Sequence, residues 1–175
     1  MTSAGQTVAE QPSILRVELE RFSLTSSRPF DQVVAAINAA IGHPDMAAFW
    51  ESAHRARTVT ELESAVQKAL GRTGLMSFVQ FDHGAIVRKA TGRDTPRIVR
   101  IVMGNPLIMK EMVKHVPDAG SYAPVTVLVD ERSDGVHVSY DRMASLLGAY
   151  GNPDALQVAK DLDNKVETLL REAAE

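Results

Sequence analysis

Apolar and polar residues alternate from Ile14 onward. Leu15, Val17 and Leu19 are interleaved with Arg16, Glu18 and Glu20. A period of two predicts a half-buried antiparallel strand, which runs out in the polar stretch from Ser23 to Ser27. The period then lengthens. Phe30, Val33, Val34, Ile37 and Ile41 recur at helical spacing behind Pro29, which suits a first helical position because its missing N–H costs nothing there. Gly42-His43-Pro44 stops that helix. Met46, Phe49 and Trp50 predict a short second helical piece. Thr60 and Glu63 read as a capping box ahead of the stripe Leu62, Val66, Leu70, and Gly71 to Gly74 close it.

The second half returns to strands. Met76, Phe78 and Gln80 form one face of a segment whose other face is Val79, Phe81 and His83. Arg97 to Met103 is too apolar for an exposed edge, so an interior strand is expected there. Asn105 is the natural N-cap, and Pro106 the first residue, of a helix carrying Ile108, Met109, Met112, Val113 and Val116. Residues 124–130 and 135–140 read as a hairpin around an Asp-Gly turn. Met143, Leu146 and Leu147 predict a short helix. After a second Asn-Pro pair at 152–153 comes a long amphipathic helix with the stripe Leu156, Ala159, Leu162, Val166, Leu169 and Leu170.

These elements define an α+β fold, an antiparallel-rich sheet covered by helices with the long C-terminal helix across it. At 175 residues the chain is of single-domain size. Residues 1–12 are small and polar and read as a flexible tail; 13–175 form one domain. With 45% apolar residues, 23% charged residues and a net charge of −3, the balance fits neither a disordered chain nor a nucleic-acid-coating protein. There are no cysteines, so disulfides and thiolate-held metals are excluded. No apolar run approaches a membrane span. MTSAGQTVAEQPS has no basic or apolar leader region, so a soluble, cytoplasmic protein with no membrane or nucleic-acid partner is expected.

One set of residues carries a family likeness. Asp82-His83 follow a strand, Gly104-Asn105-Pro106 follow the next, and Ser139-Tyr140 end the hairpin. In this combination the chain resembles the domain of unknown function 302 family, most closely over residues 60–170. The resemblance implies a TATA-binding-protein-like α+β fold with a curved antiparallel sheet and a long C-terminal helix. Against that pattern, residues near 43–59 look like a helical insertion. The family brings no established activity.

Candidate chemistry rests on few residues. Histidine is the side-chain type that serves as acid or base under physiological conditions, which makes His83 a candidate for proton transfer; on a regular strand Asp82 points to the other face and cannot orient it. The Asn105 junction presents free helix N–H groups to a carbonyl or anion, or is simply a cap. Tyr140 can donate to a ligand or sit in the core with a wet tip. Met109 lies beside Asn105. Arg100, in the local basic cluster of Arg88, Lys89, Arg93 and Arg97, shares a face with Ile98 and Val102 and should be partly buried and paired, or face a ligand or subunit. The five histidines show no metal spacing, and no dinucleotide, phosphate-loop or nucleophile-elbow motif is present; no metal or cofactor is expected. Three readings follow. The first is a small-molecule binding protein using Asn105, Met109 and Arg100. The second is an enzyme with His83 and Tyr140 as catalytic groups acting on a carbonyl compound, which requires His83 and Asn105 to converge. The third is a homodimeric scaffold. Trp50 and its neighbours are expected to line a pocket, a sheet end or a dimer contact.

Overall fold

A computed structural model describes residues 13–175; the tail expected over residues 1–12 lies outside the described residues. Five strands form one antiparallel sheet in the order β1-β5-β4-β3-β2. They are β1 Arg21–Ser26, β2 Met76–Asp82, β3 Ile98–Gly104, β4 Val125–Arg132 and β5 Gly135–Asp141. The helices are α1 Phe30–Ala40, α2 Met46–Arg55, α3 Val59–Ala69, α4 His83–Thr91, α5 Pro106–Val113, α6 Met143–Gly148 and α7 Pro153–Ala174. A 3-10 turn spans Pro117–Ser121. The α+β class, the antiparallel sheet, the long last helix and the helical segment within 43–59 are as the sequence predicts.

The strand alternation assigns the two faces. Ile101, Met103, Val125, Val127, Val129, Val136, Val138 and Tyr140 are buried on one face, against Val33 and Ile37 of α1 and Leu162, Val166 and Leu169 of α7. The other face, bearing Val79, Phe81, Arg100, Leu128 and Ser139, is open among the described residues: Val79 and Phe81 remain 40% and 42% exposed. β3 lies between β2 and β4, which explains its apolar run. The Val125–Asp141 hairpin turns on Ser133-Asp134, since Arg132 and Gly135 still pair. Gly135 has φ +138°, and a Cβ there would come within 2.8 Å of the Ser26 carbonyl oxygen, so the turn requires glycine.

Several local expectations shift. The first strand is not 14–20. Those residues lie outside the sheet and are mostly exposed, Ile14 at 89%. β5 ends at Asp141 opposite Arg21, so earlier residues have no strand to pair with. Pro29 is the N-cap of α1 rather than its first residue. Thr58, not Thr60, caps α3: its Oγ1 accepts from Glu61 N at 3.1 Å while the Glu61 carboxylate accepts from Arg57 N at 2.7 Å. α5 ends at Val113 rather than 116. His83 does not end a strand. It is the first residue of α4, which is capped by the Asp82 carboxylate accepting from Ala85 N at 2.7 Å and closed by Gly92 at φ +66°. Arg100 is exposed rather than partly buried.

Candidate functional site

β2 begins, β3 ends and β4 begins at one end of the sheet. There the Asn105 side chain does two things. Its Oδ1 accepts from Leu107 N at 2.8 Å, capping α5, and its Nδ2 donates to the Gly74 carbonyl at 3.0 Å, tying the helix start to the loop before β2. Held there, α5 presents Ile108, Met109 and Met112 to a cavity of about 260 Å³. Ala123 and Pro124, joined by a cis peptide, close the far wall, and Trp50 of α2 forms another. The indole packs edge-on to Phe49, at 5.0 Å between centroids, and beside Phe78 at 6.3 Å, yet stays 43% exposed. The side chains of this wall are apolar apart from Asn105 and the indole N–H. The amide of Asn105 is already engaged at both ends, so the cavity carries no charge and selects by shape and apolar surface.

A second cavity, of about 380 Å³, lies at the same sheet end on the β4–β5–β1 side. Arg100, Thr126, Leu128 and Ser139 contribute its open-face wall, and Tyr122 and Leu146 stand at its rim. Arg21 is neutralised by Asp141 through contacts of 2.6 and 3.0 Å. Arg100 donates to Thr126 Oγ1 at 3.3 Å and pairs with no carboxylate among the described residues. The rest of the basic cluster is dispersed. Arg88 pairs with Asp82, Arg97 with Asp31 and Glu131, and Arg97 also sits 4.6 Å over the Phe30 ring.

The candidate residues therefore fall in three places. Asn105 and Met109 share the apolar cavity, and Arg100 and Tyr140 border the other. His83 lines neither. It stacks on Phe81, with centroids 5.9 Å apart and rings 2° from parallel. The register pairs Met76 with Gly104 and Asp82 with Val99, so His83 and Asn105 stand at opposite ends of the sheet. The convergence that proton transfer to an Asn105-held carbonyl requires is absent. Tyr140 is buried, and its hydroxyl donates to Asp163 Oδ1 at 2.6 Å. Burial first, and then the Asp163 carboxylate, push its proton loss well above the usual tyrosine range.

Sequence reading missed Asp163. Its carboxylate also accepts from Met143 N at 2.7 Å and Ala144 N at 3.0 Å, capping α6 from another helix where Arg142 supplies no side-chain cap. The signal was an acidic residue four positions after Ala159, on the stripe that also holds Val166 and Leu170. Trp50 does line a pocket. Phe78 and Pro124 join it there, and only the fold shows that they do. Among the described residues no group of three or more histidines and carboxylates could hold a metal ion, and no helix is long and apolar enough to cross a membrane.

The class so defined, among the described residues, is an α+β domain with one helix-covered sheet face, one open face, and an apolar and a mixed cavity at a common sheet end. The family model described as "Domain of unknown function DUF302" matches residues 54–173, and the chain belongs to that family. The match begins after Trp50, so the helix walling the apolar cavity lies largely outside it. The fold is similar to the crystal structure of an uncharacterized conserved DUF302 protein from Bacillus stearothermophilus, with a TM-score of 0.60 and 13% identity over 89% of this chain and 98% of that one. At that identity the likeness is one of fold. No curated protein matches the chain.

Proposed function

We propose that the protein binds a small, uncharged, ring-bearing molecule in the cavity between Trp50, α5 and the Ala123-Pro124 segment. The observation that carries this reading is the cavity itself: about 260 Å³ of apolar-walled space reaching the surface beside a half-exposed tryptophan. Apolar cavities smaller than this admit single aromatic rings, and ligand sites are mostly apolar with few polar groups. Tryptophan and methionine side chains lining one cavity favour flat, polarizable ligands. Among the described residues no acid–base side chain lines this cavity, so binding is the function the geometry supports best.

Trp50 is the sole tryptophan, which makes the test direct. N-phenyl-1-naphthylamine, an uncharged dye that accepts energy from indole, is titrated against the full chain. Saturable quenching of Trp50 with enhanced dye emission is expected. Gly120→Leu should abolish it, because position 120 borders the cavity and a Cβ there meets only Val113 Cγ2, at 3.8 Å. The variant's thermal transition should stay unchanged. Quenching that never saturates, or that survives in folded Gly120→Leu, refutes the reading.

A further inference from the structure

We propose that the open side of the sheet holds a second binding site, for a small monocarboxylate with an apolar body, in which Arg100 receives the carboxylate. The site is distinct from the Trp50 cavity and does not depend on it.

Charge accounting comes first. Two arginines border the 380 Å³ cavity. Arg21 is held by Asp141 through two contacts and carries no spare charge. Arg100 has one hydrogen bond, to the Thr126 hydroxyl at 3.3 Å, and no carboxylate partner among the described residues. The planar fork of a guanidinium matches a carboxylate with two parallel N–H···O bonds. Thr126 restrains one edge of that fork and leaves other donors free. The cation is thus already oriented on an interior strand, paired on both sides.

Register supplies the rest. Arg100 lies opposite Leu128, and Leu128 opposite Ser139, so cation, apolar side chain and hydroxyl follow one another across β3, β4 and β5. Leu128 and, at the rim, Tyr122 and Leu146 offer apolar surface for a hydrocarbon or aryl body. The volume lies within the range of small-molecule sites. A single uncompensated arginine, with the Asp141 carboxylate in the same wall, favours a monoanion over a phosphomonoester, whose two charges need further cations.

The probe is phenylbutyrate, and its control is phenylbutanol, which keeps the body and loses the charge. Both are titrated into isotope-labelled full-length protein and followed by amide chemical shifts. Saturable shifts at Arg100, Thr126, Leu128 and Ser139 are expected with phenylbutyrate, with binding of the alcohol weaker by about tenfold or more. Arg100→Gln should weaken phenylbutyrate by about the same factor, and Arg100→Lys should fall between, retaining charge without the fork. Arg100 is exposed, so both variants fold. Equal affinity for acid and alcohol, unchanged affinity in Arg100→Gln, or no saturation by about 10 mM overturns the proposal. So do shifts confined to Trp50, Ile108 and Met112; that outcome would leave the apolar-cavity reading standing, just as failure of the dye titration would leave this one.

Discussion

Replacing Asp163 by alanine removes the acceptor for three donors at once. The carboxylate is fully buried and takes hydrogen bonds from the Tyr140 hydroxyl and the Met143 and Ala144 amides. Arg142, 3.8 Å away, supplies the nearest positive charge and also contacts Glu20 and Glu167, so it keeps partners in the variant. The Met143 amide can fall back on the Tyr140 oxygen at 3.3 Å. At least one amide of the α6 cap and one buried hydroxyl then lose their acceptor, at about 1–3 kcal/mol each. A total near 4 kcal/mol is a large share of the roughly 5–15 kcal/mol that holds a domain together. In a chain of this size it lowers the melting temperature by about 10 °C. Urea unfolding followed by circular dichroism measures it. Asp163→Asn, which keeps one acceptor oxygen, should lose less. A double-mutant cycle with Tyr140→Phe should show coupling of about 1 kcal/mol or more. A loss below about 1 kcal/mol in Asp163→Ala, or no coupling to Tyr140, refutes the reasoning.

Two further outcomes follow. Burial first, and then Asp163, raise the proton loss of Tyr140 above the ordinary tyrosine value of about 10. Its contribution is therefore complete below pH about 10 and is lost as pH rises beyond that value, where the unfolded chain ionises first; Tyr140→Phe should flatten the alkaline limb of the urea-midpoint profile. Gly71→Ala should cost about 2–3 kcal/mol, because a Cβ there would stand 2.3 Å from the Ile41 carbonyl carbon and 2.5 Å from Gly42 N. Gly148→Ala, with open space around it, should leave the same urea midpoint nearly unchanged.

What could be read in the chain was whatever a few neighbouring residues determine. Asn105-Pro106 and Asn152-Pro153 start helices as expected, with Asn152 Oδ1 accepting from Ala155 N at 2.9 Å. The interior position of β3 and the buried stripe of α7 follow from apolar spacing alone. What could not be read depends on partners distant in sequence. Leu15, Val17 and Leu19 alternate as a strand should, but β5 stops at Asp141 and leaves them unpaired. The alternation carries the strand on to His83, yet Asp82 ends it and is also the cap that begins α4. The separation of His83 from Asn105 depends on β2 and β3 being antiparallel neighbours, a fact of strand order. The site was legible in part: Asn105 and Met109 share a cavity, Arg100 borders another, and the wall supplied by Phe78 and Pro124 exists only once the chain has folded.

The pairing of β1 with β5 joins residues far apart in the order of synthesis. Arg21 meets Asp141 across 120 positions, and the last turn of α7 closes on the start of the fold, where Ser26 and Arg28 donate to the Ala174 and Ala173 carbonyls at 2.5 and 2.9 Å. A ribosome adding about 5–20 residues per second needs on the order of ten seconds between those two strands. During that interval Phe22 and Leu24 lack the β5 residues they pair with, and the apolar stripe of α1 lacks the α7 stripe it packs against. The sheet can therefore close at β1 only once β5 exists, and the start of the fold is fastened last, when the final turn of α7 reaches Ser26 and Arg28.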